Sequence, residues 1–321
     1  MKFAYEIQNR TIKIWRCFTY GEEIEIPDKL AGYPVVALAP YAFSAHMEEG
    51  KLTEKIRSGQ LLLSGENEEP ALCGSRLKGI YLPKTLQKIG AYAFYNCSSL
   101  EAVSFYGGLK DLGAGLFTGC HHVRRLFLNL DETGVSCLQE ILMELTEELR
   151  LTVYMGSEEA RLVFPEFYEE GVENTPARIL MTQMHGSGMH FRNCFYQKRF
   201  DFHAYDSCFF RARAQEDKRS VLELALGRLR FPMELGSEGK ADYEKYLNEY
   251  LPEAGLLAIE QRDMELLNWL VREYLPGSQD GEAILRRLLG QAAERGFTEG
   301  NAFLLHVLHE RFSPKKELFE F

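Results

Sequence analysis

Residues 77–100 read LKGIYLPKTLQKIGAYAFYNCSSL, and the pattern returns when the chain is shifted by 23 residues. Leu77 falls on Leu100 and Val123, Ile80 on Val103 and Leu126, and Leu82 on Phe105 and Leu128. Later in the unit Leu86 meets Leu109, Ile89 meets Leu112, Gly90 meets Gly113, Phe94 meets Phe117 and Cys97 meets Cys120. The register continues weakly to Leu149 and Leu151 in LRLTVY. An earlier copy lies 51 residues upstream, where Leu38, Phe43 and His46 match Ile89, Phe94 and Cys97. Its excess of 28 residues over the period marks an insertion, 48–75.

A period in the low twenties with one alternating strand per unit predicts a leucine-rich solenoid. Ile80 and Leu82 share a strand face, because side chains alternate with period two. Pro83 ends that strand, having no N–H for a continuing ladder. Gly90 and Gly113 permit a turn that a Cβ would hinder. Phe43, Phe94 and Phe117 are expected to stack as an internal column, with Cys97 and Cys120 as small apolar fillers of a tight corner. Insertions in repeat arrays map to loops, so 48–75, with six acidic and three basic residues, is expected as a surface excursion.

The stretches IEIP, GYPVVAL, APYAF and LPKTLQKIGAYAFYNCSSL, spread over residues 24–128, resemble the BspA-like leucine-rich repeats of bacterial and protist proteins. FAYEIQNRTIKIW resembles the short hairpin that opens such arrays. The resemblance implies a strand-rich solenoid used for binding, often in surface or secreted proteins.

Beyond Leu130 the pattern changes. Leu138, Ile141, Leu142, Leu145 and Leu149 stand at helical spacing, which predicts a helix that caps the array before the strand LRLTVY. From 157 to 213 the pattern is irregular and aromatic-rich, and Thr175-Pro176 predicts a helix start with Pro176 at the first position. From 214 the stretches VLELALGRL, ADYEKYLNEYL, PEAGLLAIE, DMELLNWLVREYL, GEAILRRLLGQAAERG and NAFLLHVLHERF each carry helical periodicity. Some of these pairs resemble ankyrin-type helical hairpins. The expected class is α+β: a solenoid with its hairpin and insertion over 1–156, an aromatic junction over 157–213, and an all-α helical-hairpin domain over 214–321.

The chain has 321 residues, 45% apolar and 26% charged, which excludes wholly disordered and fibrous chains. No apolar run reaches the roughly 20 residues that span a bilayer, and the opening MKFAYEIQNRTIKIW alternates rather than forming a secretion signal. Seven cysteines without a C-x-x-C pair predict reduced thiols and a cytoplasmic setting. Residues 1–128 hold 15 basic and 13 acidic groups, whereas 129–321 hold 22 and 34. That acidic second half opposes nucleic acid and anionic lipid at long range.

Chemistry is sparse. No phosphate-loop, HExxH or GxSxG motif occurs, and GAGLFTG lies inside the repeat with the wrong glycine spacing. His185, His190, Cys194, Asp201, His203, Asp206 and Cys208 are ligand types suited to zinc, but their spacings fit no ligand ladder. Eight of the twenty residues from Phe191 to Phe210 are Phe or Tyr, interleaved with Arg192, Lys198 and Arg199. Burial at an interdomain junction is the reading adopted for this run, because so large an aromatic patch would otherwise face water. Junctions also form clefts, so His185, His190, Arg192, His203 and Asp206 are the candidate ligand-binding residues, with no metal and no cofactor expected. The leading function is a non-catalytic protein-interaction or scaffold module with a protein partner, neither nucleic acid nor membrane. A metal-dependent or hydrolytic enzyme using 185–208 comes second. A nucleic-acid binder using the basic-aromatic run comes third.

Overall fold

The chain opens with β1 (Lys2–Gln8) and β2 (Thr11–Phe18), paired antiparallel across Asn9 and Arg10. Both turn residues have positive φ, 50° and 62°, as a two-residue type I′ hairpin requires. The structure, a computed structural model, describes residues 1–65, 69–174, 179–278 and 280–312. Short strands follow in the repeat region: β3 (Glu23–Glu25), β4 (Lys29–Leu30), β5 (Tyr33–Leu38), then helix α1 (Glu49–Arg57) and β6 (Leu62–Leu63). After these come β7 (Gly79–Tyr81), β8 (Lys88–Ile89), β9 (Ala102–Tyr106), β10 (Asp111–Leu112) and β11 (Arg125–Leu130). Helix α2 (Leu138–Glu144) leads into β12 (Leu149–Met155) and β13 (Glu158–Phe164).

Each repeat feeds two sheets. In one, β3, β7, β9, β11 and β12 run parallel in that order, and β13 closes the edge antiparallel to β12. Ile24, Ile80, Val103, Leu126 and Leu151 stand opposite one another along it, all buried. The 23-residue shift is the strand register from Ile80 through Val103 to Leu126. At β12 the spacing is 25, so Leu126 faces Leu151 and Leu128 faces Val153 rather than the expected Leu149 and Leu151. In the other sheet β2, β5, β8 and β10 run parallel, with β1 and then β6 added antiparallel at the far side.

The phenylalanine column is present inside. Phe43 stacks on Phe94 at 5.6 Å and Phe94 on Phe117 at 5.4 Å, and all three are buried. Each corner thiol donates to the preceding unit: Cys97 Sγ to the Phe43 carbonyl at 3.3 Å, Cys120 Sγ to that of Phe94 at 3.0 Å. At Gly113 an added Cβ would lie 2.1 Å from the Ala91 nitrogen, so turns pack too closely for any side chain. Helix α2 covers the last turn, burying Leu138, Ile141 and Leu142, and Glu144 Oε2 accepts the Phe117 N–H at 2.9 Å. The expected helix out to Leu149 stops at Glu144, because Leu149 enters β12 and takes its place in the sheet.

Residues 48–75 are not a free excursion. Leu62 and Leu63 pair with Tyr5 and Ala4, and Leu52 and Leu61 form a small separate core with Ala4. The first hairpin otherwise leaves that face uncovered, and α1 with β6 covers it.

The segment expected as irregular is largely regular. It holds β13, the hairpin β14 (Tyr168–Asn174) and β15 (Ile179–His185), α3 (Gly188–Arg192), the short hairpin β16 (Phe195–Tyr196) and β17 (Arg199–Phe200), α4 (Phe202–Ser207) and α5 (Phe209–Gln215). The helix expected from Thr175-Pro176 is not formed by the residues that follow, since Ile179–His185 is a strand. Residues 175–178 themselves lie outside the described residues. A strand forms there because β14 supplies a partner seven residues long.

The remainder is helical: α6 (Lys218–Arg230), α7 (Ser237–Glu249), α8 (Leu251–Gln261), α9 (Met264–Glu273), α10 (Gly281–Glu294) and α11 (Thr298–Phe312). Asp201, Asp217 and Asp263 cap α4, α6 and α9 by accepting first-turn N–H groups. Helix α6 packs on β13 and α7, and buried apolar side chains form one continuous cluster from Phe3 to Val307.

Candidate functional site

The aromatic run folds inward at the end of the repeat sheet. Phe191, Phe202, Tyr205 and Phe209 are buried, and rings of Phe164, Phe191, Phe200 and Tyr205 meet edge-on or tilted at 4.9 to 5.9 Å. The Tyr205 hydroxyl both donates to the Val163 carbonyl at 2.6 Å and accepts the Val163 N–H at 2.9 Å, tying α4 to β13. Burial raises its ionisation well above the ordinary phenol value.

Arg192 is 0% exposed and serves the fold. Its Nε donates to the carbonyls of Leu142 and Leu145 at 3.1 Å each, and its Nη2 to that of Glu147 at 2.7 Å. Nη1 reaches the Pro165 carbonyl. The guanidinium thus satisfies carbonyls that the end of α2 leaves orphaned. Burial lowers its pKa to about 10, against the opposing pull of Glu147 and Glu166.

Asp206 is also buried. Arg228 clasps it bidentately, Nε to Oδ1 at 2.7 Å and Nη2 to Oδ2 at 3.0 Å, while the Tyr243 hydroxyl donates to Oδ1 at 2.8 Å. This triad locks α4, α6 and α7 together. Burial, followed by the Asp206 charge, keeps the Tyr243 phenol protonated well above its ordinary range.

Of the three histidines, His203 lines a pocket with Asp206 beside Gly236 and Gly239, and His185 and His190 do not line it. His185 stacks on Tyr168 at 4.7 Å and lies 3.0 Å from Glu170, on the β14–β15 hairpin. His190 and His203 are exposed on α3 and α4. Partial burial, then the charge of Arg211, holds His190 below the ordinary imidazole value. The five candidates do not share one cleft. Among the described residues, no three His, Cys, Asp or Glu side chains gather closely enough to hold a metal ion. Lys198 of the run pairs with Glu140 at 2.8 Å, and Arg211, just beyond it, lies over Phe210 at 4.9 Å.

Two other surfaces come directly from the repeat. On the outward face of the parallel sheet, Glu25, Tyr81, Ser104, Phe127 and Thr152 form one row, and Tyr106, Asn129 and Tyr154 the next. Tyr81 and Tyr154 are 39% and 38% exposed. Carboxylates of Glu23 and Glu25 mark one end of this face, and Arg125 and Arg150 the other. At the second end α6 is fastened by Arg150, whose Nε donates to Glu223 at 2.8 Å.

On the turn rim, Tyr41 stacks on Tyr92 at 5.4 Å, and Tyr95 and His46 extend the strip edge-on. Helix α1 and Trp15 form the opposing wall of a groove of about 820 Å³, with Lys55 Nζ 3.8 Å from the Trp15 ring centre. Tyr41, Tyr92 and Gly115 occupy equivalent positions with φ of 59°, 57° and 62°. Glycine is the ordinary occupant of that left-handed conformation, so the two tyrosines hold it at some cost. The spacings that align the phenylalanines, 51 residues from the first copy to the second and 23 from the second to the third, align these three as well, which is the sequence signal for the groove.

Among the described residues no helix is long and apolar enough to cross a membrane. Comparison with curated proteins gives no match. A T. pallidum leucine-rich repeat protein is 24% identical over 48% of this chain and 80% of its own, with a TM-score of 0.22. A leucine-rich cell surface protein from Faecalibacterium prausnitzii A2-165 is 16% identical over 47% of this chain and 40% of its own, with a TM-score of 0.25. Residues 68–145 match the family described as BspA type Leucine rich repeat region (6 copies).

Proposed function

We propose that this chain is a non-catalytic protein-interaction module. In this reading residues 1–156 are a short leucine-rich-repeat solenoid, 157–213 a junction, and 214–321 a helical-hairpin unit. The observation that carries it is the outward face of the parallel sheet. Repetition places Tyr81, Phe127, Tyr106 and Tyr154 on that face, between carboxylates at one end and guanidiniums at the other. Tyrosine supplies large contact area at small entropic cost and is enriched at interfaces, and the charge gradient gives a partner one preferred orientation. The expected partner is a folded protein. A cytoplasmic setting with reduced thiols belongs to the same proposal.

The test is affinity capture from the source cell's lysate with wild type and with a Tyr81→Ser/Tyr154→Ser variant of unchanged thermal stability. The proposal requires a protein held by wild type and lost by the variant. Equal capture by both would overturn it.

A further inference from the structure

Cys194 and Cys208 were grouped on sequence with ligand residues, yet the fold gives them a different environment. Their sulfurs lie 3.9 Å apart, and both thiols are free. Cys194 is buried behind α3 and its Sγ lies 3.3 Å from the His190 carbonyl. Cys208 is half-buried, between α4 and α5, beside Arg211. Cys208 is thus the more exposed residue of the pair, and the buried Cys194 sulfur is in contact with it. Hydrogen bonding from Cys194, against the effect of burial and with help from the Arg211 charge, holds Cys208 below the ordinary thiol value. Cys194 is pushed the opposite way by the same hydrogen bond and by burial. A half-buried sulfur with a second, buried sulfur in contact with it is the geometry that lets a pair oxidise in sequence.

The repeat thiols differ. Cys97 and Cys120 are both buried, and each donates to a backbone carbonyl. Burial pushes Cys17 and Cys137 up to about 12. An oxidant in solvent meets none of these four.

We propose that Cys208 and Cys194 form a thiol–disulfide modification site whose substrate is a hydroperoxide. The Cys208 thiolate attacks the terminal oxygen of the peroxide, the O–O bond breaks, and an alkoxide or hydroxide leaves with the electron pair. Cys208 becomes a sulfenic acid. The Cys194 sulfur then attacks the Cys208 sulfur, and the hydroxyl leaves with the Cys194 proton as water. Two thiols and one hydroperoxide yield a disulfide, an alcohol (water when the oxidant is hydrogen peroxide) and water. A dithiol returns the pair to its reduced form by exchange. Such a site is compatible with a reducing compartment, where disulfides are transient rather than structural.

The test treats the full chain with hydrogen peroxide, blocks the remaining thiols, and reads tryptic peptides by mass spectrometry; Lys198 and Arg199 separate the two cysteines. The expected product is a Cys194–Cys208 linked pair, two hydrogens lighter than the separate peptides. In Cys194→Ala the linked pair disappears and a dimedone-trapped sulfenic acid accumulates at Cys208. In Cys208→Ser neither product forms. The proposal is overturned if Cys73, the other half-buried thiol, oxidises while no linked pair appears. It is equally overturned if Cys194→Ala gives no dimedone adduct at Cys208.

Discussion

Arg192 and His203 both came forward from the sequence as ligand candidates, and burial separates them. Arg192 spends its donors on four backbone carbonyls, so Arg192→Met leaves buried acceptors unsatisfied and should cost about 3 kcal/mol. His203 faces water, and His203→Ala should stay within about 0.5 kcal/mol of wild type. Urea unfolding of the two variants checks the contrast; similar costs would refute the structural role given to Arg192. Phe94, 0% exposed between two stacked rings, should lose about 3–5 kcal/mol on truncation to Ala. A loss below about 1 kcal/mol would contradict the internal column. The buried thiols set an alkaline limit. Cys17 and Cys137 rise from 9.0 to about 12 on folding, so above pH 9 the unfolded chain releases protons that the folded one retains. Their contribution is complete below pH 9 and is lost as pH rises toward about 12, with Tyr205 and Tyr243 acting in the same direction. Urea midpoints should fall through this window, and less steeply in Cys17→Ala.

At the scale of elements, what the sequence revealed depended on repetition. The register of β7, β9 and β11, the Phe94–Phe117 stack and the Cys97–Cys120 corner recur at a fixed shift of 23, with Phe43 added 51 residues upstream, so one misplaced position would have shown against the others. Repetition also held the Tyr41–Tyr92 strip, but Gly115 interrupts it at the third copy. Non-repeating elements gave no such check. Strand β15 was hidden behind Thr175-Pro176, a helix-start signal that the pairing with β14 overrides. Arg192 gave no sign of its role, because the carbonyls it satisfies come from Leu142, Leu145, Glu147 and Pro165, remote in sequence. The insertion 48–75 was legible as a break in register but not as a cover for Ala4. Two variants test these element-level packings in thermal melts. Gly113→Ala forces a Cβ against the Ala91 backbone and should cost about 1–3 kcal/mol. Leu61→Ala should cost about 2 kcal/mol if the insertion is a true part of the core. A neutral Leu61→Ala would return the segment to a surface loop.

Over the whole molecule, the buried cluster passes without interruption from the first hairpin through the aromatic junction into α11. Tyr205 on Val163, Arg150 on Glu223 and α6 on β13 join the repeat sheet to the helices. Calorimetry should therefore give a single cooperative transition; two resolved transitions would mean that the halves fold independently. The sheet face, with its mixed charges beside the acidic excess of 129–321, is the surface proposed to meet a protein partner. Hydroxyl-radical footprinting of the chain bound to its captured partner tests this most directly. Protection is expected at Tyr81, Tyr106, Phe127 and Tyr154, with exposed Tyr196 unchanged. Protection confined to Tyr41, Tyr92 and Tyr95, or to the helices, with the sheet face still reactive, would contradict it.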